Sequence, residues 1–143
     1  MNERESESMK MTCRILAVLA LAGFSAAAAD FVPATRDGNG IQKAIDAAAA
    51  AGGGRVVLEP TTYPSGTLYL KSNVELHLPE GATLLGHDTP EGYDDVDDPR
   101  IGKLPENSKK VFIVAMDATN VAITGRGTID GQGPKFYDKN IPA

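Results

Sequence analysis

The stretch Asn120-Val121-Ala122-Ile123-Thr124-Gly125-Arg126-Gly127-Thr128-Ile129-Asp130-Gly131-Gln132-Gly133 constrains the fold more than any other part of the chain. A short apolar strand runs into a glycine turn, a second short strand follows at Thr128-Ile129, and another glycine turn closes the segment. Strands and turns this closely spaced suit a chain that winds as a coil. The pattern also occurs earlier. Ser72-Asn73-Val74-Glu75-Leu76, followed by Gly81-Ala82-Thr83-Leu84, matches Thr119-Asn120-Val121-Ala122-Ile123, followed by Gly127-Thr128-Ile129. Repeated short strands with Asn and Gly at the corners point to a parallel β-helix, in which strands pair with the turns of chain above and below at about 4.8 Å. Asn and Gly suit such corners because they take positive φ at low cost. An antiparallel sandwich has the same periodicity. A leading helix favours the β-helix, because it can cover the unpaired backbone groups at an open end.

That helix is legible. Asp37-Gly38-Asn39-Gly40 is a turn cluster, and Ile41, Ala44, Ile45 and Ala48 then fall at i, i+3, i+4 and i+7 on one face. Asn39 or Gly40 supplies the N-cap. Gly52-Gly53-Gly54 ends the helix. The strands begin after it. Arg55–Leu58, Thr67–Leu70, Ala82–Leu85 and Val111–Ala115 are short and apolar, and Val74-Glu75-Leu76-His77-Leu78 alternates, with Glu75 and His77 outward. Glu59 to Gly66, with two prolines, reads as a turn. His87 to about Lys110 reads as a long surface loop carrying the acidic tract Asp94-Asp95-Val96-Asp97-Asp98.

The first 29 residues read as a secretory signal peptide. A basic patch, Lys10 to Arg14, precedes the apolar run Ile15–Phe24 and the small-residue segment Ser25–Ala29. The run falls short of the about 20 residues that a membrane span needs, so no stable membrane anchor is expected. The acidic leader Glu3–Ser8 points to Met9 or Met11 as the true start. The expected location is periplasmic or extracellular. Cys13 is the one cysteine and precedes the apolar run, so the chain from Asp30 has no thiol or disulfide chemistry. Removing residues 1–29 takes three residues of each sign from the 14 basic and 19 acidic ones, and the net charge stays at −5. That balance argues against a nucleic-acid partner.

From Ile41 to Phe136 the chain resembles the N-terminal part of the polygalacturonase-like glycoside hydrolases of family 28. The resemblance rests on Ile41–Ala48, Gly52–Leu58, Ser65–Val74, Gly81–Gly86 and Gly127–Gly133, taken in this order. It implies a right-handed parallel β-helix, begun by a short capping helix, and inverting hydrolysis of pectin-type polysaccharide, with no cofactor. In that chemistry a carboxylic acid protonates the leaving oxygen while a carboxylate about 6.5–9.5 Å away activates water. The family supplies these groups from Asn-Thr-Asp and Asp-Asp motifs, helped by Gly-His-Gly and Arg-Ile-Lys. Asn-Thr-Asp and Gly-His-Gly are absent here, and Gly86-His87-Asp88 is the nearest string to the second. Arg100-Ile101-Gly102-Lys103 is interrupted by Gly102, and Asp94-Asp95 and Asp97-Asp98 precede the Ile129-Asp130-Gly131 stretch instead of following it. No catalytic residue is therefore carried over. Residues 30–143 are expected to be the N-terminal part of a larger enzyme, inactive alone.

The remaining candidates read as structural. Asp94, Asp95, Asp97 and Asp98 match no calcium-ligand spacing and read as a solvated loop. His77 and His87 have no metal or catalytic partner at useful spacing. Asp130 is expected to bond a corner amide. Tyr93, Phe136 and Tyr137 are candidates to touch sugar rings in an intact enzyme. Two other readings stay open: a β-elimination lyase or epimerase on the same scaffold, and a non-catalytic β-helix that binds polysaccharide or serves a structural role.

Overall fold

The structure, a computed structural model, describes residues 29–99 and 109–135. The segment through residue 28 that reads as a signal peptide, Arg100-Ile101-Gly102-Lys103, Phe136 and Tyr137 lie outside them. The described chain runs β1 (Asp30–Phe31), α1 (Gly38–Ala50), β2 (Gly54–Val57), β3 (Thr62–Ser65), β4 (Leu68–Tyr69), β5 (Val74–Leu78), β6 (Thr83–Gly86), β7 (Ile113–Val114), β8 (Ala122–Gly125) and β9 (Thr128–Asp130).

Every pairing between these strands is parallel. They form three sheets, ordered β1-β2-β5-β8, β3-β6-β9 and β4-β7. The chain therefore visits the first, second and third sheets in turn before returning to the first, which is the winding of a parallel β-helix and not of a sandwich of hairpins.

The register builds vertical stacks. Val56 lies over Leu76, and Leu76 over Ile123. Tyr63 lies over Leu84, and Leu84 over Ile129. With a side-chain period of two, every inward residue meets an inward neighbour. Val56, Leu76 and Leu84 are fully buried. Tyr63 is buried too, and its hydroxyl accepts the Glu59 N–H at 3.0 Å, so the polar end is satisfied. The corners are set by Asn73 (φ 63°) and Asn120 (φ 54°). Their side chains stack as well: the Asn120 amide donates to Asn73 Oδ1 at 3.1 Å across the 47 residues of the sequence repeat.

Helix α1 lies against β1 to β5 and presents Ile41, Ala44, Ile45 and Ala48 to the core. Its N-cap is Asp37, not Asn39 or Gly40. The helix starts at Gly38, which puts Asn39 and Gly40 inside its first turn, and the Asp37 carboxylate accepts the Gly40 N–H at 2.8 Å. The helix ends as expected, with Gly53 at φ 133° donating its N–H back to the Ala48 carbonyl at 2.9 Å.

One reading needs correction. The two-proline turn contains a strand, β3, with Tyr63 and Ser65 inward. Pro64 is tolerated there because β3 is an edge strand of its sheet and the proline faces outward. The described part of the 87–110 excursion is mostly exposed, as a surface loop should be, and it is anchored at a few points. Tyr93, Val96 and Asp98 are buried, Pro90–Gly92 form a 3₁₀ turn, and Asp95 bridges to Lys110. Tyr93 packs edge-on against Phe112, with centroids 5.7 Å apart.

The stacks set two expectations for stability. Leu76→Ala removes the middle of a stack and should lower stability by about 2–5 kcal/mol, while Ile123→Ala at the half-exposed end should cost less than about 1 kcal/mol. Urea unfolding followed by circular dichroism measures both. Gly52 (φ 92°) and Gly125 (φ 105°) both hold left-handed backbone, but a Cβ at Gly52 meets open space while one at Gly125 runs into the Leu78 carbonyl. Gly52→Ala should therefore cost about 1–2 kcal/mol, and Gly125→Ala distinctly more, read as the shift in urea midpoint.

Candidate functional site

The candidate residues from the sequence fall in three places. His77 lies on the outer face of the first sheet. Its Nδ1 is 2.8 Å from the Thr124 hydroxyl, which donates to Glu75 Oε1 at 2.6 Å. On the same face Arg55 grips Asp30 with two bonds of 2.9 Å. These contacts tie adjacent strands together. Asp130 accepts the Gln132 N–H at 2.8 Å, the corner bond expected of it. The acidic tract is dispersed onto separate partners. Asp95 pairs with Lys110 at 3.3 Å, Asp97 with Lys109 at 3.0 Å, and Asp94 accepts the Tyr69 hydroxyl at 3.1 Å. Among the described residues no group of three or more His, Cys, Asp or Glu side chains could hold a metal ion. Tyr93, a candidate for sugar stacking, is buried beneath this segment, and its hydroxyl donates to the His87 carbonyl at 3.0 Å.

What the structure does assemble is a groove of about 540 Å³ that sequence reading did not find. Its walls are the first turn of α1, the β3–β4 turn and the 87–94 segment. Close approach of glycines makes it. A Cβ on Gly38 would strike Ser65, and one on Gly66 would strike the Gly92 carbonyl. Gln42 pins the floor: its amide nitrogen donates to the Tyr69 carbonyl at 3.1 Å and its Oε1 accepts the Tyr69 N–H at 2.9 Å. Thr67 joins floor to wall, donating to the Val111 carbonyl at 2.6 Å and accepting the Asp94 N–H at 2.9 Å.

Two carboxylates line the groove, Asp37 and Asp94. The Gly40 N–H, with help from the Thr35 hydroxyl, holds the Asp37 carboxyl below its ordinary value. Asp37 therefore stays ionised and accepts hydrogen bonds. It is the opposite of a glycosidase acid, whose pKa is raised so that it can give up a proton near neutrality. Burial, reinforced by Asp94, raises the Tyr69 hydroxyl. With amide, hydroxyl and carboxylate groups in its lining, the groove can bind and orient a ligand through hydrogen bonds.

A chain wound from parallel strands with a polar groove beside its first helix belongs to the parallel β-helix class. Comparison with known proteins narrows this. No family model matches the chain. It is 36% identical over 108 residues to an exo-poly-α-D-galacturonosidase of Dickeya chrysanthemi, covering 71% of this chain and 18% of that protein. It is also 36% identical over 84 residues to an endo-polygalacturonase of Pectobacterium parmentieri, covering 57% and 21%. The chain thus matches about a fifth of the length of these relatives. A crystal structure from Parabacteroides merdae ATCC 43184, provisionally described as a glycosyl hydrolase, superposes with a TM-score of 0.61 at 28% identity over 75% of this chain and 46% of its own. In sequence the chain is therefore similar to polygalacturonases, in keeping with the resemblance of its motifs to the family 28 glycoside hydrolases.

The cap of the groove wall should titrate. Asp37 has a folded pKa below its ordinary value of 3.8, so its stabilisation is present above that value and is lost as pH falls through the folded pKa. Thermal melts between pH 2 and pH 6 should show Asp37→Asn, which keeps the capping oxygen, with a flatter acid limb than the parent. Asp37→Ala should be less stable at every pH above that limb.

Proposed function

We propose that this chain is the N-terminal portion of an exported polygalacturonase-like glycoside hydrolase that acts on galacturonan-class polysaccharide by inverting hydrolysis. In this reading residues 1–29 are the signal peptide, with translation starting at Met1, Met9 or Met11, and the product reaches the periplasm or the exterior. Helix α1 caps a right-handed β-helix, and the sequence after Ala143 supplies the catalytic carboxylates. The observation that carries the reading is the similarity over 108 residues to a protein named for galacturonan hydrolysis.

The open edge supports the extension. Ile123 and Ile129 continue the stacks of Leu76 and Leu84, yet each is 43% exposed. A further turn of chain in the same register would cover both. The described residues then serve the reaction by building and holding the scaffold, not by proton transfer. The carboxyl shifts that stand out, at Asp30, Asp37 and Asp46, all run downward, away from what a general acid requires. Among the described residues no helix is long and apolar enough to cross a membrane.

The purified 143-residue chain should release no reducing ends from polygalacturonate. Measurable turnover by this chain alone would overturn the placement of the catalytic acids. A reading frame that continues past Ala143 with Asn-Thr-Asp and Asp-Asp motifs supports the proposal; a stop codon there counts against it.

A further inference from the structure

The geometry points to the groove between α1, the β3–β4 turn and the 87–94 segment as a binding site for an uncharged oligosaccharide. Its size falls within the range of about 300–1,000 Å³ typical of small-molecule sites. Its floor is rigid, because the Gln42 side chain clamps both backbone polar groups of Tyr69 and the glycine approaches leave no room for movement. Two polar side chains at its rim are unspent. The Asn39 amide makes no hydrogen bond among the described residues, and His87 makes only an edge contact with the Tyr93 ring. The half-buried Tyr69 ring and exposed Pro64 supply apolar faces beside them. An amide that both donates and accepts, carboxylate oxygens that accept, and flat apolar faces together match the alternating hydroxyl and C–H surfaces of a pyranose.

The charge of the lining selects among sugars. Asp37 and Asp94 are its two carboxylates, and no lysine or arginine lines the groove. Nearby cations are engaged elsewhere: Arg36 pairs with Glu59 at 3.0 Å and Lys71 with Asp46 at 2.7 Å. Lys43 acts on Asp37 from outside the lining. A uronate carboxylate would meet two like charges and no lysine or arginine to offset them, which disfavours it. A neutral sugar would instead give its hydroxyl protons to the same two carboxylates. The choice of a saccharide rests on the functional reading above; the exclusion of a charged one rests on the groove alone.

The test compares galactotetraose with tetragalacturonate, at pH 7.5 and low salt, on the intact chain. Amide shifts in ¹⁵N-labelled protein report the contact site, and affinity electrophoresis through neutral galactan or polygalacturonate gels gives a second readout that needs no assignment. The expected result is binding of galactotetraose with shifts at Asn39, Tyr69 and His87, and tetragalacturonate weaker by about ten-fold or more. Asn39→Ala should weaken galactotetraose binding by about five-fold, and Asp94→Asn should narrow the gap between the two ligands. Equal or tighter binding of tetragalacturonate in the groove would overturn the charge argument and leave the hydrolase reading standing. Binding of neither sugar, or neutral-sugar binding that both variants leave unchanged, would overturn the site. The hydrolase reading fails separately, through the turnover and reading-frame tests.

Discussion

The fold depends on register. Each strand of the first sheet places one inward side chain above the equivalent residue of the strand before it, as in Val56, Leu76 and Ile123. A slip of one residue between β5 and β8 would turn Ile123 outward and bring Ala122 or Thr124 into the stack. Two contacts resist that slip from outside the core. Asn120 donates to Asn73 at the corner, and Thr124 bridges His77 and Glu75 on the outer face. None of these bonds is strong alone, at about 1 kcal/mol each. Their value lies in geometry, since all three are made in only one register.

The same arithmetic explains what the sequence revealed. The corner asparagines are 47 residues apart because one circuit of the coil, with its inserted segment, takes that many residues, and the two side chains meet in space. The alternation of Val74–Leu78 and the stripe Ile41, Ala44, Ile45, Ala48 were legible because each is a local pattern facing one core. The failures are also physical. Pro64 suppressed the reading of β3, since proline is a poor strand residue unless the strand is at an edge, and edge position is a tertiary fact. Asp37 was passed over as the cap although it is a strong capping type; the helix begins one turn earlier than its apolar stripe. The acidic tract is exposed at Asp94, Asp95 and Asp97, as its charges suggest, but those charges hide the packing of Tyr93 and Val96.

The groove was illegible for a further reason. Its walls come from Gly38, Gly66 and Gly92, residues 26 or more positions apart in sequence, and nothing local marks them as neighbours. Gln42 lies off the apolar stripe of α1, where a polar residue carries no local mark of a special role. In the folded chain it substitutes for a strand neighbour, satisfying the N–H and carbonyl of Tyr69 at once. One signal was present in principle: a glutamine in a helix that covers a short strand can pair with that strand's free backbone groups. Recognising it required knowing which strand lay beneath.

The two ends of the described chain differ in consequence. At the β8–β9 edge, Ile123 and Ile129 stay half-exposed although they continue buried stacks. The groove draws its walls from α1, the β3–β4 turn and the 87–94 segment, all already held by the Gln42, Thr67 and Tyr93 contacts. Its shape therefore does not depend on what covers Ile123 and Ile129. A parallel β-helix stabilises each circuit mainly through its nearest neighbours, and a site built within its first turns of chain can be formed while the far edge is still open.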